Sequence, residues 1–150
     1  MRIAVFNGPN LNLLGIREPE IYGTTTLSEI EERLEVVGKE LGVTLLFSQF
    51  NDEGKMIDAI QNCYGVVQGA LVNAAAWTHT SLAIRDALVA VSLPYIEVHL
   101  SNIFAREPER RHSWLAPGAR GIIAGFRAEG YELALRGMVS ILRAEEGLGR

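Results

Sequence analysis

The chain has 150 residues, a length that accommodates one substantial core and excludes two independent ones. Apolar residues make up 48% and charged residues 21%, a mixture that excludes intrinsic disorder. A formal charge of −4 and a pI near 5.4 exclude a general attraction to nucleic acid or to an anionic membrane surface, so neither is expected as a partner.

In chain order, short apolar runs alternate with segments of helical period, the signature of successive β-α units around a parallel sheet. Strands are predicted over residues 2–7, 44–50, 66–73, 95–100 and 120–125. Several are too continuously apolar for a sheet with one wet face, so helices should cover both faces. Thr26 and Glu29 are spaced as a capping box, Ile30, Leu34, Val37 and Leu41 follow at helical intervals, and Gly42 ends the run. Further helices are predicted over 55–64, 80–91 and 129–145. The expected fold is a single α/β domain with a flavodoxin-like, doubly wound, five-stranded parallel sheet.

A lone Cys63 has no partner for an internal disulfide. The first residues lack the pattern of a signal peptide, and no apolar run approaches membrane-spanning length. A soluble, cytoplasmic protein is the expectation.

Two connections are too long for ordinary strand-helix loops, residues 8–25 and 101–119, and both follow a strand's carboxyl end. In open α/β sheets that edge is where ligands bind, at the point where strand order reverses. Polar residues gather there. Asn10 follows the first strand, Asn51 and Glu53 the second, Asn73 and His79 the third, and Glu97 and His99 close the fourth. The long loops add Arg17 and Tyr22 on one side and Arg106, Arg110, Arg111 and His112 on the other.

Structural roles compete with functional ones. Asn10 in NGPN suits a plain turn, His79 in THTS suits the first turn of a helix capped by Thr78 or Thr80, and an isolated Tyr22 suits a hydrophobic loop anchor. Glu97 and His99, at i and i+2 on a strand, project to one face, so the carboxylate can orient the imidazole and favour its protonated form; a satisfied structural pair is the alternative. The run AREPERRH over 105–112 is partly neutralised by Glu107 and Glu109, yet several guanidiniums over a pocket suit a carboxylate ligand.

The segments NGPNLNLLGIREPEIYG (7–23), NAAAWTHTSLAIRDAL (73–88) and IEVHLSNIFAREPERRHSWLAPGARGIIAG (96–125) resemble type II 3-dehydroquinate dehydratases. The likeness runs in register over residues 3–140 and takes in Gly130 and Tyr131. It implies anti elimination of water from 3-dehydroquinate through an enolate, with no cofactor, metal, nucleotide or Schiff base, in aromatic biosynthesis through the shikimate pathway or in quinate catabolism. By the same resemblance Tyr22 is the base and Arg17 supports its ionised form. His99 is the acid with Glu97 as its partner, and Asn10 helps hold a water near the enolate oxygen. Asn73, His79 and Arg110 meet substrate hydroxyls, and the backbone N–H groups of Leu100 and Ser101 meet its carboxylate. Asp86 reaches the site of a neighbouring subunit, Arg106 and Arg17 belong to the closing loops, and the assembly is a dodecamer built from trimers.

The chemistry makes its own demands. Taking a proton from beside a ketone leaves charge on oxygen, so such a site needs a base, an enolate stabiliser and an acid for the departing hydroxide. A free tyrosine is ionised in only about one molecule in a thousand at pH 7, a penalty of roughly 4 kcal/mol, which a nearby arginine offsets. Departures from the family pattern fall around these residues. Ala74 replaces a usual Pro, which removes a φ restraint and is expected to reshape the loop of Asn73 and His79. Phe50 interrupts a QSN motif between Gln49 and Asn51, Glu109 replaces an aromatic and is expected to compete for Arg110, and Arg127 replaces a usual Gly.

Two rival readings remain, a non-catalytic paralogue that senses a related ligand and a flavodoxin-like cofactor or signalling module. The first would have no need of Tyr22, Arg17 and His99 together. The second needs a phosphate-gripping first loop, and NGPNLNLLG has neither a P-loop nor GxGxxG.

Overall fold

The computed structural model describes residues 1–148. Five strands, β1 (Arg2–Asn7), β2 (Thr44–Gln49), β3 (Gly69–Asn73), β4 (Tyr95–His99) and β5 (Gly121–Ala124), form one sheet in the order β2-β1-β3-β4-β5. Every pairing is parallel, with Val5 of β1 opposite Phe47 of β2 and Leu71 of β3. This is the expected flavodoxin-like order. It reverses between β1 and β3, which puts the switch point at the ends of those two strands.

The strand period of two splits the core in halves. Ile3, Val5, Leu71, Ile96 and Val98 point to one face, where Ile30 and Leu34 of α2 (Leu27–Leu41) and Leu135 and Met138 of α5 (Glu129–Leu148) cover them. Ala4, Phe6, Ala70, Val72 and Tyr95 point to the other, beneath Met56 and Ile60 of α3 (Glu53–Asn62) and Ile84 and Leu88 of α4 (Leu82–Ala90). Among the described residues no helix is long and apolar enough to cross a membrane.

Element ends differ from the sequence reading where capping chemistry intervenes. The predicted capping box at Thr26 and Glu29 is formed, and Gly42 ends α2 with a left-handed φ of 68°. Asp52 accepts from Lys55 N–H and starts α3 earlier than expected, whereas Ser81, not Thr78 or Thr80, caps α4. The third strand begins at Gly69 rather than residue 66, because Val66 and Val67 are still tied to the Cys63 carbonyl in the turn after α3.

Both long connections carry structure of their own. Residues 8–25 hold a 3-10 turn (Leu11–Leu13) and the four-residue α1 (Pro19–Tyr22), and residues 101–119 hold three 3-10 turns. The first connection leaves β1 at Gly8, whose N–H donates to the Asn73 carbonyl at 2.8 Å. A Cβ there would stand 2.4 Å from the Ala74 carbonyl oxygen, so only glycine allows the two strand ends to approach this closely.

Candidate active site

The carboxyl ends of β1, β3 and β4 open into a cleft. Asn10, Arg17 and Tyr22 line it from the first long connection, Asn73 and His79 from the end of β3, and His99, Leu100, Ser101, Arg106 and Arg110 from β4 and the second connection. Residues spread over a hundred positions thus meet in one place, as the switch-point argument predicts.

Tyr22 ends α1, and Gly23 stops that helix at a φ of 86°. Arg106 Nη1 donates to the Tyr22 phenolic oxygen at 2.8 Å. The guanidinium of Arg17 lies 4.9 Å from the Tyr22 ring centroid and that of Arg106 lies 5.4 Å away. Two cations therefore border one phenol, and Arg106 holds its oxygen. The sequence reading assigned that support to Arg17 alone.

Tyr95, Glu97 and His99 share a face of β4 by strand alternation. His99 Nε2 stands 2.5 Å from Glu97 Oε1, both side chains are buried, and Nε2 carries the proton because a carboxylate only accepts. Ser113 donates to the same Oε1 at 2.7 Å. Glu97 lies behind His99 and is not part of the cleft wall.

His79 stacks against His99 at 6.5 Å between centroids. Its Nδ1 lies 2.7 Å from the His112 carbonyl, so Nδ1 bears the hydrogen and Nε2 is left to accept. Burial chiefly holds the His79 imidazole below its ordinary pKa, the His112 carbonyl works against this, and the neighbouring His99 and Arg110 add to the depression. His79 sits in a 3-10 turn (Ala75–His79) ahead of α4, not in that helix's first turn.

Asn73 has commitments of its own. Its Nδ2 donates to the Tyr131 hydroxyl at 2.9 Å, its Oδ1 accepts from Ala75 N–H at 3.2 Å, and the Tyr131 hydroxyl donates onward to Asn7 Oδ1 at 2.6 Å. Asn7 and Asn73 continue the Val5 and Leu71 side of their strands, which is the side α5 covers. The buried Tyr131 thereby fixes the orientation of the Asn73 amide at the cleft.

Asn10 is both a turn residue and a cleft residue, with a left-handed φ of 67° that asparagine tolerates. Its N–H donates to Asn51 Oδ1 at 3.0 Å, and Gln49 Nε2 ties the same oxygen to the Gly8 carbonyl. Gln49 and Asn51 brace the loop in this way, while Phe50 packs onto the core beneath α3 and α4.

Other candidates stand elsewhere. Glu53 is occupied by the Ser81 hydroxyl at 2.6 Å, which ties α3 to the start of α4. Arg111 Nε donates to the Arg106 carbonyl, and the His112 ring meets Trp114 edge-on. Asp86 is exposed on α4, outside the cleft of its own chain. The carboxylate on Arg110 is Glu107, at 2.6 Å, rather than Glu109, because i and i+3 face each other across the intervening 3-10 turn. Ala74 adopts a φ of −76°, within the range a proline ring imposes, so the missing restraint leaves the local backbone as proline would set it. Arg127 has a φ of 51°, a left-handed conformation that favours glycine.

Ser113, Asn7 and the backbone of His112 are absent from the sequence reading. No pattern in the chain links Ser113 to a carboxylate sixteen residues earlier. Asn7, by contrast, was legible as the last residue of β1 on the same side as Val5.

Fold and site together define a flavodoxin-like α/β protein with acid-base side chains converging at the switch-point edge of its sheet. The family described as dehydroquinase class II matches residues 1–139, and the chain belongs to that family. The 3-dehydroquinate dehydratase of Gemmatimonas aurantiaca is 59% identical over 142 residues, covering 95% of this chain and 93% of the relative. That of Prochlorococcus marinus is 54% identical over 143 residues, covering 95% and 99%. The crystal structure of the type II dehydroquinase of Butyrivibrio crossotus superposes with a TM-score of 0.90 at 42% identity, over 93% of this chain and 97% of that one.

Proposed function

We propose that the chain is a cytoplasmic hydro-lyase that converts 3-dehydroquinate to 3-dehydroshikimate, in the shikimate pathway or in quinate breakdown. The observation that carries this reading is the presence in one cleft of a phenol bordered by two guanidiniums and an imidazole backed by a buried carboxylate. These are the base and the acid that an anti elimination requires.

In this mechanism the Tyr22 phenolate takes the proton beside the ketone, and the electron pair moves onto the carbonyl oxygen as an enolate. Asn10 holds a water that donates to that oxygen. The enolate then collapses, the carbon-oxygen bond on the opposite face breaks, and His99 gives its proton to the departing hydroxyl, which leaves as water. A proton passed from Tyr22 to His99 through solvent restores both groups.

Both Arg106 and Arg17 place positive charge beside the proposed base, the first through its hydrogen bond to the phenolic oxygen and the second across the ring face. The N–H groups of Leu100 and Ser101 have no acceptor among the described residues and suit the substrate carboxylate. Asn73, His79 Nε2 and the guanidinium of Arg110 suit its hydroxyls. Exposure of Asp86 on α4 fits a role in a neighbouring subunit's site, within a dodecamer of trimers.

The test follows ultraviolet absorption of the conjugated enone when purified protein meets 3-dehydroquinate in the presence of chelator. Turnover is expected, with losses of at least about a hundredfold in Tyr22→Phe and His99→Ala. Folded protein that binds the substrate without turnover would instead support the sensor reading. Native mass spectrometry reads the assembly, with twelve chains expected.

A further inference from the structure

We infer that Ser113 is a positioning residue for the acid, and that the segment from His112 to Leu115 sets the donor direction of both cleft histidines. This rests on the reading of His99 as the acid.

The geometry leaves the Ser113 hydroxyl one useful direction. Its oxygen accepts from Leu115 N–H at 3.1 Å and from Ala116 N–H at 3.0 Å. A hydroxyl has two lone pairs and one hydrogen, so with both lone pairs engaged the hydrogen is available only to Glu97 Oε1, 2.7 Å away. Ser113 is thus held as a donor.

Oε1 is the oxygen that His99 Nε2 also meets, while Glu97 Oε2 is buried without a hydrogen-bond partner. Ser113 therefore fixes the rotation of the carboxylate against the imidazole. Without it the two oxygens differ little, and the carboxylate can turn about its last torsion. An oxygen that already accepts one strong bond is also a poorer acceptor for a proton transferred from Nε2, so Nε2 keeps its hydrogen and the proton the proposed acid delivers is the one on Nδ1.

Neighbouring atoms of the segment act in concert. The His112 carbonyl takes the Nδ1 hydrogen of His79, the Trp114 N–H donates to the Thr78 carbonyl at 3.0 Å, and the Leu115 carbonyl accepts from the buried Tyr95 hydroxyl. Leu115 itself is fully buried beneath α4. The segment is anchored at both ends of its short span, and each histidine is aimed by one of its atoms.

The test compares Ser113→Ala and Ser113→Thr with the wild-type protein, by steady-state kinetics on 3-dehydroquinate and by proton NMR of the His99 imidazole N–H in nitrogen-15 histidine-labelled protein. Ser113→Ala should lower kcat roughly 10- to 100-fold with KM within about twofold, and displace or abolish the downfield N–H resonance. Ser113→Thr, which keeps the hydroxyl, should recover most of both. If Ser113→Ala does not fold, Ser113→Cys gives the same reading, because a thiol of similar size is a weak donor. A folded variant without the hydroxyl that keeps wild-type kcat and resonance overturns the inference, as does a folded Ser113→Thr with no recovery. Wild-type protein inactive on 3-dehydroquinate would sink the proposed function alone, and the resonance would still decide the role of Ser113.

Discussion

The guanidinium of Arg106 donates to the phenolic oxygen of Tyr22 across 2.8 Å, joining the two long connections at the mouth of the cleft. Arg17 approaches the same side chain over its ring face, at 4.9 Å from the centroid, with no hydrogen bond to the oxygen. A charge-assisted hydrogen bond and a cation-π contact differ in strength, and activity should rank them. Arg106→Ala should lower kcat roughly 10- to 100-fold, and Arg17→Ala roughly 2- to 30-fold. Saturating turnover rates on folded variants are the measurement, and a larger loss in Arg17→Ala would reverse the assignment.

Tyr131 carries a different load. It is fully buried, and burial pushes its phenol well above the ordinary pKa, so it serves as a neutral link between Asn7 and Asn73. Tyr131→Phe keeps the ring and removes the oxygen, leaving Asn73 Nδ2 and Asn7 Oδ1 without that partner. The expected cost is about 1–3 kcal/mol for each orphaned buried group, read from urea unfolding. A change under about 0.5 kcal/mol would mean that the two amides repair the network between themselves.

At Arg127 the expectation is a gain. A non-glycine residue in the left-handed region is strained by about 1–2 kcal/mol, and the Arg127 side chain, which lies beside Gly23, makes no hydrogen bond or ion pair among the described residues to offset it. Arg127→Gly should therefore raise stability by about 1 kcal/mol or less, after the entropy cost of glycine. The denaturation midpoint should rise with the slope unchanged. A lower midpoint would show that the contact with Gly23 outweighs the strain.

His79 makes stability depend on pH in a defined direction. Its folded-state pKa is depressed below the ordinary 6.5, chiefly by burial, so the unfolded chain binds the proton more readily. Its contribution is complete above the unfolded value and is lost as pH falls through 6.5 towards the folded value. Melting temperatures of wild type and His79→Gln should show it. The difference in favour of wild type should shrink between about pH 7 and pH 5, and a difference that grows on acidification would contradict the sign.

Much of the fold was legible because it depends on local patterns. The unbroken apolar run of Ile3, Ala4, Val5 and Phe6 assigned β1 two buried faces, and Thr26 with Glu29 announced the start of α2. The edge at which the site forms followed from two connections too long to be plain loops. Positions of polar residues along β4 were equally readable, since i and i+2 on a strand must share a face and Glu97 and His99 do.

Hydrogen-bond partners from distant segments were not legible. Arg17, five residues from Tyr22, was expected beside it and lies over its ring, but the hydrogen bond to the phenolic oxygen comes from Arg106, because the path of the second connection decides which guanidinium reaches that atom. Locally, Glu107 rather than the adjacent Glu109 reaches Arg110 because the turn between them brings i and i+3 together, which an extended loop would not. By itself the sequence determined the sheet, the edge and the kinds of side chain that gather there, since apolar period, capping and turn chemistry act over a few residues. Only the tertiary structure decided which donor meets which acceptor, because a hydrogen bond requires atoms within about 3 Å, and the folding of whole loops sets that distance.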